Sequence, residues 1–479
     1  MDVAVVRSAA KRRAEFMNSK READKHMQQF YRYVEDHSMD YVQELQSLLR
    51  EPSIITNTIG MTSTASLIEQ FMLRMGCQVR QITCGDSKPY LYGEVGSGPP
   101  TILFYNHYDV QPVEPLNEWD FGPFSAEVHD GYIYARGAAD NKGSLSAALA
   151  AVETYRKVIG DLPFRVKFLF EGEEELGSFN MERLAQTEKE LFQADLCFWG
   201  SGVLDNSGHP YISFGLKGMA YVELRCSTLR SDIHSAMAAI VDSPVWRLLY
   251  ALTSLRDARG NITIDGLDAH VRPVSAEDRD RLVPSDFDPD YYRELFGIRE
   301  FLHSNDPREL MERLFFHPSL NICGIRAGYT KGGTKTIMPR EAWANVDLRL
   351  VPDLTPELVV KLLRAHLDAH GFGDVELLLK CAIPGYRHQP SAEHLARIRQ
   401  ASLEAFHAEP SFLPMMAASG PMYHVCAPHR LPVLSFGVAH QGSHIHAPNE
   451  NIRVHDFILG IKFIGRVIDL FGCSNRPGV

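Results

Sequence analysis

Val166-Lys-Phe-Leu-Phe-Glu-Gly-Glu-Glu-Glu175 is the stretch on which the reading of this chain turns. Its first five residues are an apolar run of strand length. Its last five hold four carboxylates. Packed so closely, some of them would take up protons unless positive charge sits among them. A divalent cation with its bound water is the commonest reason to build such a place. A charge run on its own is more often a solvated loop, so the reading needs other segments.

Upstream, a second apolar run over 101–105 ends at His107-Tyr-Asp109. His107 and Asp109 are two apart at a strand end, so their side chains leave on the same side. His107 is a candidate zinc ligand, and Asp109 a candidate acceptor for its other ring N–H; simple hydrogen bonding is the plainer alternative. Asp140 precedes a helical pattern over 142–158, as a helix cap would, or as a carboxylate giving one oxygen to each of two metals. Glu174 and Glu175 leave an irregular turn in different directions, so one can ligate while the other stays free as a base. His444 and His446 lie in a loop rich in Gly, Pro and Asn, where surface histidines are usual.

Helical patterns over 27–49 and 62–76 and strands alternating with helices predict an α/β sheet covered on both faces. Chemistry in such sheets collects outside the carboxyl ends of strands, where His107 and Glu171 to Glu175 fall. After Gly215-Leu-Lys-Gly218 the texture changes. A strand (220–226), a helix (244–255), an Asp- and Arg-rich insertion (265–313), two strands (321–325 and 342–351), a helix (355–370) and a strand (374–379) follow. That order predicts a ferredoxin-like α+β unit. The expected organisation is a catalytic domain over 1–214 and 382–479, with a second domain, 215–381, inserted within it.

A chain of 479 residues exceeds one ordinary core. Hydrophobic content of 45% and charged content of 23% suit a soluble globular protein. A net charge of −11 argues against a nucleic-acid partner. No apolar run approaches a membrane span. Residues 1–25 are basic but carry Glu15, Glu22 and Asp24 and lack an apolar core, so they read as a frayed or helical arm, not a secretory signal. Eight cysteines without a C-x-x-C pair fit reduced thiols in a cytoplasmic protein.

Taken in order, the segments resemble the M20 metallopeptidase family, in particular its dipeptidase branch of cytosolic non-specific dipeptidase and carnosinase-like enzymes. The resemblance runs from about residue 40 to the C-terminus. It rests on His107-Tyr-Asp-Val-Gln-Pro112, Glu118-Trp-Asp120, Arg136-Gly-Ala-Ala-Asp-Asn-Lys-Gly143, Glu171-Gly-Glu-Glu-Glu-Leu-Gly-Ser178, Asp232-Ile-His-Ser235, Lys335-Thr-Ile-Met-Pro339, Arg349-Leu-Val-Pro352 and His446-Ala-Pro-Asn-Glu450. It implies a mixed-sheet catalytic domain with an inserted lid and dimerisation domain. It implies His107, Asp140, Glu175 and His446 as metal ligands, with Asp140 bridging, Glu174 as general base and Asp109 orienting His107. It also implies a cis peptide between Asp140 and Asn141, and substrate contacts from His234 (from the partner subunit of a homodimer), Thr336, Arg349 and Ser419. For Arg349 a salt bridge on a strand is the plainer alternative to a clamp on a substrate carboxylate. The expected activity is metal-assisted hydrolysis of dipeptides or short peptides, with one or two zinc ions, or manganese or cobalt. The alternatives are an N-acyl amino acid deacylase and a non-catalytic relative. One departure favours the last: Ser201 stands where the family has a carboxylate completing its second metal site, with Asp205 the nearest substitute. Asn106, where the family often has Gly, is a smaller departure.

Overall fold

The computed structural model describes residues 25–205, 207–283 and 287–472; the arm expected over 1–25 falls, but for Lys25, outside them. The chain forms two compact units. One comprises residues 1–214, 388–412 and 424–479, the other 215–387 and 413–423. The return to the first unit comes later than the expected residue 382. Tyr386–Arg387 pairs with Gly215–Leu216, and this ribbon keeps 382–387 in the second unit. Residues 413–423 stay there too: the Lys217 N–H donates to the Met416 carbonyl and the Ser419 hydroxyl to that of Gly218.

The first unit is built on a mixed eight-stranded sheet. Its spatial order is Gln78–Ile82, Tyr90–Val95, Arg165–Glu171, Thr101–His107, Leu196–Trp199, Val433–Ser435, Tyr211–Ser213, Ser411–Leu413. The Arg165, Thr101, Leu196 and Val433 strands run parallel. Parallel strands are covered on both faces and read as continuous apolar runs, and all but the first residue of Thr101–His107 and of Arg165–Glu171 are buried. The helix Gly143–Val158 is buried on every side over residues 143–152, as a helix enclosed by its neighbours is. The last helix, Val454–Gly472, packs on it. A helix over 25–36 lies against that last helix so closely that a Cβ on Gly465 would meet the Phe30 ring at 2.2 Å. Beneath the site, the buried Lys142 ammonium donates to the carbonyls of Leu48 and Glu51 and ties the helix Ser38–Leu49 to the turn that carries Asp140.

The second unit has a four-stranded antiparallel sheet in the order Ser319–Ala327, Glu341–Leu350, Gly218–Ser227, Glu376–Ile383. With helices Pro244–Leu255 and Pro356–Ala369, this is the ferredoxin-like order expected. Ala220, Val222, Leu224 and Cys226 alternate inward and join one core with Leu248, Leu252, Val359 and Leu363. The insertion is not featureless. It folds into short helices, of which Pro307–Phe316 contributes Met311, Phe315 and Phe316 to a small cluster with Leu282 and Met415.

Every cysteine among the described residues is a free thiol. None of the described helices is long and apolar enough to cross a membrane.

Candidate active site

The site starts from strand register. Thr101–His107 and Arg165–Glu171 pair in parallel, with His107 opposite Glu171. Both strands therefore end together, and their loops leave from the same edge. The Tyr108 N–H donates to the Glu171 carbonyl at 2.9 Å just past the last pair.

His107 is buried, with acceptors at both ring nitrogens. Nε2 is 3.0 Å from Asp140 Oδ1. Nδ1 is 3.1 Å from the Asp109 carbonyl and 3.4 Å from its carboxylate. Burial opposes charge on the ring, but the hydrogen bonds with Asp109 and Asp140 prevail and raise its pKa well above the ordinary value. The Asp109 carboxylate has further work. It accepts the backbone N–H groups of Glu174 and Glu175 at 3.2 and 3.0 Å. Asp109 thus aims the acidic turn as well as the imidazole, a role its position beside His107 did not disclose.

Asp140 lies in a turn opened by Gly137, whose φ of +87° favours glycine. Its peptide bond to Asn141 is cis, as expected. Its two carboxylate oxygens face different imidazoles: Oδ1 faces His107, and Oδ2 lies 3.2 Å from His446 Nε2. Burial works against the carboxylate, yet the hydrogen bonds from both rings hold its pKa below the usual range. His446 Nε2 is also 3.3 Å from Glu175 Oε2. Hydrogen bonds with Asp140 and Glu175 outweigh burial and push the His446 pKa up to about 10. Gln111 steadies Glu175 by donating to Oε2 at 2.9 Å. Glu174 stands beside this group, and burial, followed by repulsion from Glu175 and Asp140, raises its pKa well above that of a free carboxyl.

This donor set fits a divalent cation. His107, Asp140 and Glu175 each offer a ligand atom, all within 4.8 Å of one another. The Glu175 Oε1 atom is buried without a hydrogen-bond partner. Buried carboxylate oxygens are rarely left so, and a cation among these carboxylates supplies what the protein groups do not.

Some supporting residues carried no assigned role in the sequence reading, although its motifs contain them. Glu450 Oε1 accepts the N–H groups of Ala139 and Asp140 at 2.9 and 3.0 Å, and its Oε2 pairs with Arg136 at 2.7 Å. That buried pair joins the His446 loop to the Asp140 turn. Beneath the acidic turn, Glu171 accepts the hydroxyls of Tyr105 and Ser178, and burial pushes its pKa up to about 8. The signal for both was a carboxylate inside an otherwise apolar or glycine-rich motif.

Asp205 does not reach the group around Asp140. Its carboxylate accepts the N–H groups of Ser207 and His209, both at 2.8 Å, and pairs with the His209 ring at 3.1 Å. It caps its own turn.

In the second unit the four remaining candidates fall into two pairs. His234 pairs with Ile337 in a short antiparallel ribbon, and the Ser235 N–H donates to the Thr336 carbonyl at 3.1 Å. The exposed His234 ring accepts the Ala236 N–H at Nδ1, which leaves Nε2 to carry the proton. Arg349 donates to Asp347 and to the Ser419 hydroxyl, both at 3.0 Å. The expected strand salt bridge is therefore present, and it uses one part of the guanidinium fork.

Comparison with known proteins agrees with this geometry. The model of "Peptidase family M20/M25/M40" matches residues 103–470. A Beta-Ala-His dipeptidase of Mus musculus is 30% identical over 365 residues, covering 72% of this chain and 74% of the relative. Among solved structures, the M20 family metallo-carboxypeptidase Sso-CP2 from Sulfolobus solfataricus superposes with a TM-score of 0.86 at 33% identity, over 90% of this chain and 99% of that one. Human carnosine dipeptidase 1 gives a TM-score of 0.80 at 25% identity, over 93% and 100%. With the matched span reaching from the His107 strand to the last helix, the chain belongs to peptidase family M20/M25/M40 and is a peptidase.

Proposed function

We propose that this protein is a metal-dependent dipeptidase that cleaves the amide bond of dipeptides or short peptides. The observation that carries the reading is the convergence of two imidazoles and Glu175 on the Asp140 carboxylate, with Glu174 buried beside them. His107, Asp140, Glu175 and His446 would hold the metal, and histidine with carboxylate donors suits zinc, with manganese or cobalt as substitutes. A divalent ion there lowers the pKa of a water from ~15.7 to about 7.

The chain's own residues then divide the work. Glu174 accepts the proton of the attacking water and later delivers it to the leaving amine nitrogen. Asp109 keeps Glu174 and Glu175 aimed through their backbone N–H groups. Arg349, held at Nε by Asp347 and at Nη1 by Ser419, is the clamp for the substrate carboxylate, with Ser419 and Thr336 as further substrate contacts. His234 donates from Nε2 to the substrate carbonyl oxygen across a homodimer formed through the second unit. Exposed Ile240, Trp246 and Tyr250 on that unit support such an interface. Free, mostly buried thiols support a cytoplasmic setting.

The test is Glu174→Gln assayed on a dipeptide panel alongside N-acyl amino acids. Dipeptide hydrolysis should vanish while metal content stays at the parent level. Parent-like turnover in the variant would remove Glu174 from this role, and a parent active only on N-acyl amino acids would replace the dipeptidase by a deacylase.

A further inference from the structure

The two oxygens of Asp140 are not equally provided for. Around Oδ2 stand His446 Nε2 at 3.2 Å and, beyond it, Glu175 Oε2 at 3.3 Å from the same nitrogen. A cation on that side has three protein donors, the number a catalytic site commonly uses. Around Oδ1 stands His107 Nε2 at 3.0 Å; Glu175 also comes within 4.8 Å of this pair, but it lies nearer His446, so an ion on the His107 side needs a further donor of its own. The neighbouring strand, Leu196–Trp199, ends beside this group, and the residues just after it are the ones placed to supply that donor. Tyr105 pairs with Trp199 in parallel, and the Gly200 N–H donates to the Tyr105 carbonyl at 2.9 Å. One step on, Gly200 lies against Asn106, and the chain then turns: the Ser201 N–H donates to the Trp199 carbonyl at 2.8 Å and its carbonyl accepts the Ser435 hydroxyl at 2.6 Å.

None of these groups is a carboxylate. A Cβ on Gly200 would lie 1.9 Å from the Asn106 amide, so Asn106 fills that space. The Asn106 amide donates to Asn141 Oδ1 at 2.6 Å and to the Gly200 carbonyl at 3.2 Å. The Asn141 amide donates to the same carbonyl at 2.5 Å. The two amides are spent on each other and on the backbone. Asp205 is spent on its own turn. Ser201 offers a neutral hydroxyl, a poor zinc ligand.

We infer that this centre binds one divalent cation tightly, on Asp140, Glu175 and His446, and that the His107 side is a vestigial half whose missing ligand is a carboxylate that neither Gly200 nor Ser201 supplies. The inference rests on the proposed metal-dependent reading and narrows it to a single-ion centre in which His107, one of the four candidate ligands, supports Asp140 without holding the ion. In this arrangement His107 orients Asp140 through Oδ1, and Asn106 with Asn141 fills the space a second ion's ligand would need.

The experiment is metal analysis of the purified full-length chain after zinc loading and dialysis against metal-free buffer, followed by calorimetric titration with zinc. The parent should retain one equivalent per chain, with any second equivalent at least about 100-fold weaker, the upper end of what loss of even an outer-shell partner costs. His446→Ala should lose the retained ion, and His107→Ala should keep it. Ser201→Asp should retain two. Circular dichroism confirms that each variant is folded before its metal is counted. Two tightly held equivalents in the parent would overturn the single-ion inference and leave the peptidase reading standing. No retained metal in the parent, with none bound on titration, would defeat the metal-dependent reading itself. One retained ion that disappears in a folded His107→Ala and survives in a folded His446→Ala would refute the assignment of sides.

Discussion

Arg136→Met should destabilise the first unit far more than a surface charge would. The Arg136 and Glu450 side chains are 1% and 0% exposed, and they meet at 2.7 Å. Removing one partner of a buried pair leaves the other charge uncompensated and costs about 3–5 kcal/mol. Arg136 Nη2 also donates to the Pro112 carbonyl at 3.0 Å, a contact worth about 1 kcal/mol. For a unit of this size each kcal/mol lowers Tm by roughly 2 °C, so the expected drop is on the order of 8–12 °C. Thermal melts belong in chelator, so that metal binding does not add to the stability measured. Arg136→Lys keeps the charge and should lose about a third as much. A pH signature separates this cause from simple loss of packing. Burial already raises the Glu450 pKa against the pull of Arg136. Without Arg136 it rises further above its unfolded value of about 4.3. Between those two values the folded state holds a proton that the unfolded state has released, so stability falls as pH rises. The deficit relative to the parent should therefore be small near pH 4.5 and grow as pH rises toward 8. A variant that melts within about 1 °C of the parent, or a deficit flat across that range, would refute the reasoning.

Other perturbations read other parts of the molecule. Asp109→Asn can accept only one of the two N–H groups that the carboxylate now takes, and should weaken metal affinity by about 10–100-fold in a chelator competition; unchanged affinity would show that the acidic turn holds itself. Lys217 is buried, donates to the His317 carbonyl at 2.5 Å, and has its pKa lowered to about 8 by burial and then by Arg349. Its folded pKa lies below the unfolded one, so the cost of burying its charge is present below pH 8 and fades as pH rises toward about 10.4. The parent should gain stability over that interval, by on the order of 3 kcal/mol from this group. Lys217→Met should lose that gain in urea melts of the second unit, whereas an identical slope would clear Lys217. Arg349→Lys should raise KM for dipeptides about tenfold or more with a smaller effect on kcat, because an ammonium cannot reproduce the fork that also holds Ser419; an unchanged KM would leave Arg349 with its strand salt bridge alone.

Much of this architecture was legible along the chain because its periodicities are local. The apolar runs over 101–105 and 166–170 announced strands, which the structure shows as Thr101–His107 and Arg165–Glu171, and the strand expected over 220–226 lies within Gly218–Ser227. The Pro244–Leu255 helix fell where its pattern placed it. The boundary near residue 382 did not, because it is decided by the pairing of Tyr386–Arg387 with Gly215–Leu216, two segments far apart in sequence. Asp205 shows the same limit. As a carboxylate four residues from Ser201 it qualified as a substitute ligand, and only the folded turn shows it bound to the N–H groups of Ser207 and His209.

Residue type and short-range pattern were therefore enough to name the family resemblance, the strands and helices, and the side chains able to carry metal and proton chemistry. What tertiary structure alone decided is which of those groups meet. Asp140 and His446 are 306 positions apart, and they touch because the Arg136–Glu450 pair closes one loop on the other. Propensity and periodicity act over a few residues, whereas a site is made by contacts between strands and loops whose separation in sequence carries no trace of their distance in space.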